Sequence, residues 1–572
     1  MSKKLGLLLL LIAILALAAA CGRGGGGHER DREGRPFVEF SWYHNYDWFT
    51  PREWGSDVIS SYWGEKFNIH ANTSAPDANA AEVLNLMVAA DDLPDVIWMD
   101  RSPQMIEIAN LGLLYSIDEL IAFGYDNWYH ENVPASTQAF YAEATDGINY
   151  VIPNWVRMGT PGTWGGSTGG NQAWLYTLNV YEAVGAPTFR TFEDLYAYAV
   201  AVRDANLTNA EGVPIIPVLF NGGPNFGFNF VGGVATSKGM VWDAWFGRWA
   251  VKQDGTFGTV WDNTVWRAAV MEVNRWHREG LFPATNMTNT GDQFLENLTN
   301  GRGGLIWHDH STDNSDGYRR ILRESDPGNS IEVIYYMGPS RPHLFLPAGG
   351  LPHEVIQHQV HGTLGWNTSL ITRHASRNSN PGRIFELLTW MLSPLGSIEM
   401  MFGPQGYLWN ELNAQGYPIL HTSPETLTGE QVEDLGLWRW DRHGHANNVD
   451  NAKFAANEML PPEERNWVDY MQATIFTPTL RLSDEFQLMS PQIDSLSPLG
   501  IARQMMYDFM EEMLPQIILA SSYEEAQRLF DQVRDFLYAN GMAEIEEIYN
   551  ARWHHNKGLQ GGSIFDLTNI PR

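Results

Sequence analysis

The chain is 572 residues long and carries 37 basic against 67 acidic side chains, a net charge of −30. Such a chain as a whole repels nucleic acid and anionic lipid surfaces, so no nucleic-acid partner is expected. One cysteine excludes an internal disulfide and a cysteine-built zinc site, and a hydrophobic content of 44% over this length supports about two to four cored domains.

Lys3 and Lys4 precede an unbroken apolar and small-residue run, Leu5 to Ala20, and Cys21 follows it. The run is short for a spanning helix, which needs ~20 apolar residues, and suits the h-region of a secretory signal. Residues 21–36 are glycine-rich and charged without apolar periodicity, as a flexible tether is. PFVEFSWY (36–43) alternates as a strand, and FNIH (67–70) reads as a second. Val83, Leu84, Met87 and Val88 recur at helical spacing within 79–91; Leu93-Pro94 stops that helix, and DVIWM (95–99) is a buried strand. Helix, proline turn and strand in this order favour an α/β class with parallel sheet. Thr191 to Asp194 resembles a capping box for a helix carrying Leu195, Ala199 and Val202. Asn263 caps a helix that turns Trp266 and Trp276 into the core, and Gly280 ends it. A short helix at 294–299, a turn at 301–304 and a strand at 305–307 follow. Ile384, Leu388 and Met391 mark a helix stopped by Pro394, and Ser522 with Glu525 opens a C-terminal helix. From 410 to 515 the pattern weakens into an elaboration rich in Trp and Pro.

Leu17-Ala18-Ala19-Ala20-Cys21-Gly22 resembles the lipobox of bacterial lipoproteins, with Ala18 where Leu is preferred. The resemblance implies cleavage before Cys21, acylation of its sulfur, and an exported body anchored to the outer face of the cytoplasmic membrane; two or more chains anchor stably. Further motifs follow in order: EVLNLMVAADDLPDVIW (82–98), GLLYSIDELI (112–121), DGINYVIPN (146–154), YTLNVYEAVGAPTFRTFEDLYAYAVAV (176–202), NRWHREGLF (274–282), LTNGRGGLIW (298–307) and GPQGYLWN (403–410). This series resembles the extracellular solute-binding proteins of family 1, lipoprotein receptors of carbohydrate ABC importers, and most of all their large Gram-positive subgroup. The resemblance implies a two-lobed, type II periplasmic-binding-protein-like fold with hinge-linked lobes. Lobe one is expected over 37–154 plus 306–366, and lobe two over 155–305 plus 367–572 with a helical elaboration. It also implies a monomeric soluble part, capture of a sugar or oligosaccharide between the lobes, delivery to permease subunits, and no enzymatic step.

Sugars present hydroxyls and apolar C–H faces, so a site needs flat aromatic rings and planar polar groups. Strand ends at lobe crossings supply the candidates: Trp42, Tyr43 and Asp47; Trp98 and Asp100; Asn154 and Trp155; Trp307 and Asp309; Trp366 and Asn367; and Tyr407 and Trp409 in the GPQGYLWN loop. Many relatives in this family carry a calcium loop after the helix at 191–202. Here Asp204, Asn206 and Thr208 hold its first three ligand positions, while Asn209 replaces the glycine and Ile215 the final acid that calcium requires. HEVIQH (353–358) spaces its histidines by five rather than the four of a zincin helix. His308 and His310 share a strand face that could hold a metal; His443/His445 and His554/His555 read as polar surface, and DNSDG (313–317) as an Asx turn. The competing class is a membrane-tethered glycoside hydrolase, whose two carboxylates across a cleft sequence alone does not place; a third is another cell-surface binding protein.

Overall fold

The computed structural model describes residues 34–559, except 125–127, 157–172, 190, 224–225, 244–247, 309–310, 335–357, 361–363, 376–378, 438, 440, 445–447, 450–451, 454, 457–458, 462–479, 483, 487–492 and 494–496. Cys21 and the segment around it lie outside the described residues. No described helix is long and apolar enough to cross a membrane.

Two sheets organise the chain. In the first, β1 (Val38–His44) pairs in parallel with β2 (Ile69–Ser74) on one side and β3 (Val96–Asp100) on the other. Parallel pairing demands crossovers, and helices Val58–Phe67 and Ala80–Ala89 lie in them. Asp57 caps the first of these by accepting from the Ser60 amide, and Asn79 caps the second through Glu82. Four of the five β3 residues are buried, as in a strand covered on both faces. β4 (Ile152–Pro153) and β12 (Asn367–Ile371) complete the order β2-β1-β3-β12-β4, with β12 antiparallel to both its neighbours.

The second sheet has four strands among the described residues. It comprises β5 (Ala173–Thr177), β6 (Ile216–Phe220), β9 (Gly303–His308) and β10 (Ile331–Val333). β6 and β9 run parallel, and β5 runs against β9 and β10. A small hairpin, β7 (Trp249–Val251) and β8 (Phe257–Thr259), falls between β6 and β9 in the chain. The capping box at Thr191 opens Phe192–Ala205, and Asn263 opens Thr264–Arg278 by accepting from the Val265 and Trp266 amides. Trp266 and Trp276 are fully buried in the core around this sheet.

Strand pairing corrects the expected division of the chain. The expected first lobe includes residues from 306, yet β9 lies between β5 and β6. The expected second lobe includes residues from 367, yet β12 lies between β3 and β4. The packing agrees: helices Pro381–Leu392 and Pro394–Phe402 share a core with Trp42, Trp63 and Trp98. The first unit is thus built from 34–156 and 364–460, the second from 173–334 and 484–559. β11 (His358–Val360) pairs in parallel with β15 (Leu480–Leu482), tying together the segments that lead between the units.

Local differences have local causes. Pro394 opens the next helix under a Ser393 cap, because proline suits a first helical position as well as a stop. The DNSDG stretch lies inside helix Ser311–Ser325. The weakly patterned region contains the hairpin β13 (Trp409–Leu412) and β14 (Pro418–Leu420), and also a 21-residue helix, Pro498–Ile518. That helix buries Met506, Met510, Met513 and Ile517 despite Pro515 within it. The last helix, Met542–Leu559, begins in the second unit's core and ends on the first unit. There Arg552 and His555 reach Glu143 of helix Ala135–Glu143 at 2.9 and 2.8 Å.

Candidate ligand cleft

β1, β3 and β4 all end at one edge of the first sheet, and β12 begins there. The register sets His44 beside Trp98, Asn367 beside Asp100 and Thr368 beside Pro153. In the second sheet β6 and β9 end at the edge where β5 begins, with Phe220 beside Trp307 and His308 beside Ala173. The chain leaves the first unit after β4 and enters the second at β5; it leaves the second after β10 and re-enters the first at β12. Both passages therefore join the same two edges. In open α/β sheets ligands bind outside the carboxyl ends of strands, and clefts between units are preferred.

The first unit's edge is an aromatic and polar cluster. Trp98 is fully buried and meets His44, Tyr46 and Trp366 edge to face, at ring distances of 4.9, 5.0 and 6.4 Å. The Tyr46 hydroxyl donates to Asp100 Oδ1 at 2.8 Å. Burial pushes the Asp100 carboxyl up, against the opposing pull of the Tyr46 hydrogen bond and the Arg101 charge. Burial first, and Asp100 second, push the Tyr46 hydroxyl well up, so the proton stays on the tyrosine. Trp48 stands above Tyr46 at 5.3 Å with 63% of its surface exposed. Arg101 turns away, its guanidinium donating to the Leu364 and Gly365 carbonyls. Asn154 and Asn367 are completely buried, and Asn154 Oδ1 accepts from the Trp155 and Gly444 amides at 2.8 and 2.7 Å.

The structure thus gathers Trp98, Asp100, Asn154, Trp155, Trp366 and Asn367 at one edge, with Asp47 exposed on the loop beside Trp48. Four other candidates are core side chains instead. Trp42 lies between His44 and His443, stacked at 5.3 and 6.4 Å. Tyr43 is buried on the opposite face with Leu84 and Met99, and burial together with the Asp47 charge pushes its hydroxyl up to about 12. Trp307 packs on Trp174 at 4.9 Å and over Gly233, where any Cβ would overlap its ring. Trp409 is buried and donates to the Gly403 carbonyl at 2.8 Å, while Tyr407 in the same turn is exposed. Both faces of each sheet are covered, so an aromatic near a strand end meets core as readily as cleft. Asp309 lies outside the described residues.

The sequence reading missed Tyr46, Trp48 and Arg101. A signal existed: Trp42, His44, Tyr46 and Trp48 alternate, so the strand's side-chain period runs on past its end. His443 is no surface residue. It is completely buried, 2.6 Å from Ser369 Oγ and 3.3 Å from the Pro153 carbonyl, and burial lowers it to about 3. His554 and His555 are exposed. His308 is buried and stacks on Phe294 at 5.3 Å. His310, His445 and residues 353–357 lie outside the described residues, and β11 contains His358.

The candidate calcium ligands fit an ion poorly. Asp204 Oδ1 accepts from Arg203 Nε at 2.8 Å, and the Asn206 amide donates to the Asp204 carbonyl. Asn209 closes the loop itself, its Oδ1 accepting from the Glu211 and Val213 amides. Among the described residues no group of three or more His, Cys, Asp or Glu is placed to hold a metal.

No family model and no curated protein matches the chain. Solved structures do. The S. pneumoniae ABC-transporter substrate-binding protein FusA, in complex with kestose, is 15% identical with a TM-score of 0.61, over 92% of this chain and all of that one. The alginate-binding protein AlgQ2, solved without calcium ion, is 16% identical with a TM-score of 0.55, over 90% and 98%. The N-glycan transport solute-binding protein NgtS from Streptococcus pneumoniae is 10% identical with a TM-score of 0.57, over 92% and 100%. The chain has the α/β, two-lobed fold of these solute-binding proteins.

Proposed function

We propose that this protein captures a sugar or oligosaccharide between its two lobes and hands it to the permease of an ABC importer. The observation that carries this reading is the cluster at the joined sheet edges: Trp48, Trp155 and Trp366 around Asp100 and Asn367. Exposed or half-exposed rings offer flat faces to sugar C–H groups, and the partly covered Asp100 carboxylate pairs with hydroxyls. The fold neighbours named for kestose, alginate and N-glycan support the ligand class. Closure of the lobes about the connecting segments excludes water and changes the outline a permease sees. Nothing in the cycle requires a bond to be made or broken. The lipobox-like segment at Cys21 supports export and lipid anchoring at the outer face of the cytoplasmic membrane, with a monomeric body on a flexible tether; Cys21→Ser is expected to abolish lipid labelling. A calcium ion has little support in the Asp204 loop.

A thermal-shift screen against oligosaccharides, with chromatography of the sugar afterwards, tests the reading. One saccharide raises the melting temperature and is recovered intact. Recovery of shortened sugar would indicate the hydrolase class instead.

A further inference from the structure

Trp155 has a left-handed backbone, with φ of 52°. Among the described residues the other non-glycine positions with positive φ are Asn68, Asp91, Asp146, Ala186 and Asn206, so Trp155 is the one aromatic among them. Asn and Asp tolerate this region because their short side chains bond locally; a bulky residue there is a steric outlier held by its surroundings. Such strain persists where the structure over-determines it, and it concentrates at ligand clamps and switches.

The surroundings that hold it centre on Asn154. The Asn154 amide donates to the Asn367 carbonyl at 2.8 Å, and its carbonyl accepts from the Trp366 amide at 2.9 Å. Its side-chain Oδ1 accepts from the Trp155 amide at 2.8 Å and the Gly444 amide at 2.7 Å. One buried residue thus joins the chain leaving the first unit, the chain returning to it, and the stretch 441–444. Two glycines make room. A Cβ on Gly365 would overlap the Asn154 carbonyl oxygen, and one on Gly444 would stand 3.1 Å from the Trp155 ring. Trp155 therefore lies flush on Gly444, half-buried against the core, with its remaining surface open.

We propose that Asn154 is the positioning residue of the cleft: it pins Trp155 in its strained conformation as a ligand wall and couples that wall to the passages between the lobes. This rests on the ligand-capture reading above. Stacking of a sugar on Trp155 then bears directly on the segments that move when the lobes close, without any contact between ligand and Asn154.

Four variants of the full chain test it: Trp155→Ala, Trp155→Gly, Asn154→Ala and Asn154→Asp. Without ligand, Trp155→Gly melts above Trp155→Ala, since only glycine adopts the left-handed region freely. Equal melting, or a higher value for alanine, overturns the strain. Kestose, maltotriose and mannotriose are the probes for binding. For any of them that raises the wild-type melting temperature, Asn154→Ala weakens affinity at least tenfold. Asn154→Asp, which keeps the acceptor oxygen, stays within about threefold of wild type. Wild-type affinity in Asn154→Ala overturns the positioning role. A wild-type protein that binds none of the three overturns the ligand half of the proposal, whereas the Trp155 pair still decides the strain.

Discussion

Tyr46 donates its hydroxyl proton to Asp100 across the ends of two neighbouring strands, at 2.8 Å, beneath the exposed ring of Trp48. The proton stays with the phenol because burial raises both groups and a phenol is by nature the far weaker acid. Asp100 thereby keeps acceptor capacity at a place where exposed aromatic surface and a joined sheet edge meet.

The raised Asp100 carboxyl has a stability consequence. Its folded value lies above its unfolded value, so the ionised form opposes folding at neutral pH. Asp100→Asn is therefore expected to raise the ligand-free melting temperature at pH 7. The gain shrinks as pH falls, because aspartate is then protonated in both states. Melting curves between pH 3 and about pH 7 check this. Sugar affinity in the same variant is expected to fall, since an amide is the weaker acceptor.

His44 and His443 set the acid limit. Burial lowers them to about 4 and about 3, so both stay neutral in the folded protein well below the usual histidine range. Their contribution is complete above an unfolded value of about 6.5. It is lost as pH falls from there towards the folded values, because the unfolded chain takes up protons that the folded one refuses. Each contributes a slope on the order of 1 kcal/mol per pH unit in that window. His443→Gln is expected to make the loss of stability between pH 6.5 and 4 shallower, read by denaturant titration at each pH.

Arg442 and Asp57 form a buried pair whose value lies in not being broken. Asp57 Oδ2 accepts from Arg442 Nη2 at 2.5 Å while Oδ1 caps the helix through Ser60. Gly436 lies so close that a Cβ there would overlap the Asp57 carboxylate. Removing one partner leaves a buried charge without its ion-pair partner, at a cost of about 3–5 kcal/mol. Arg442→Ala is expected to destabilise by about 3 kcal/mol in urea unfolding, whereas Arg52→Ala, whose Glu433 partner is exposed, changes stability by less than about 1 kcal/mol.

Trp48 separates ligand binding from folding. With 63% of its surface exposed it adds little to the core. Trp48→Ala is expected to change stability by no more than about 0.5 kcal/mol and to weaken sugar affinity about tenfold, the loss of one good aromatic contact. Calorimetric titration beside thermal melting reads both.

Much of this was legible locally. The alternation in PFVEFSWY foretold β1, and the caps at Thr191 and Asn263 marked helix starts that the structure reproduces. Each depends on neighbours within four residues. The sheet membership of β9 and β12 does not: β12 lies beside β3, more than 260 residues earlier, and no local pattern records that pairing. The candidate site divides the same way. The strand ends that bring Asp100, Asn154 and Asn367 to one edge were visible in the sequence, whereas the burial of Trp42 and Trp307 was not, because both faces of each sheet are covered and alternation does not show it. Helix Pro498–Ile518 does carry a helical signal, Met506, Met510, Met513 and Ile517 at spacings of three and four, but Pro515 interrupts it near its end.

Titration calorimetry of the protein lacking residues 1–33 against neutral and acidic oligosaccharides, with the sugar analysed after mixing, is the most direct test of ligand capture between the lobes. Saturable one-to-one binding of an intact saccharide, weakened in Trp48→Ala and Asn154→Ala, is the expected result. Cleavage of the sugar, or binding that both variants leave unchanged, would contradict it.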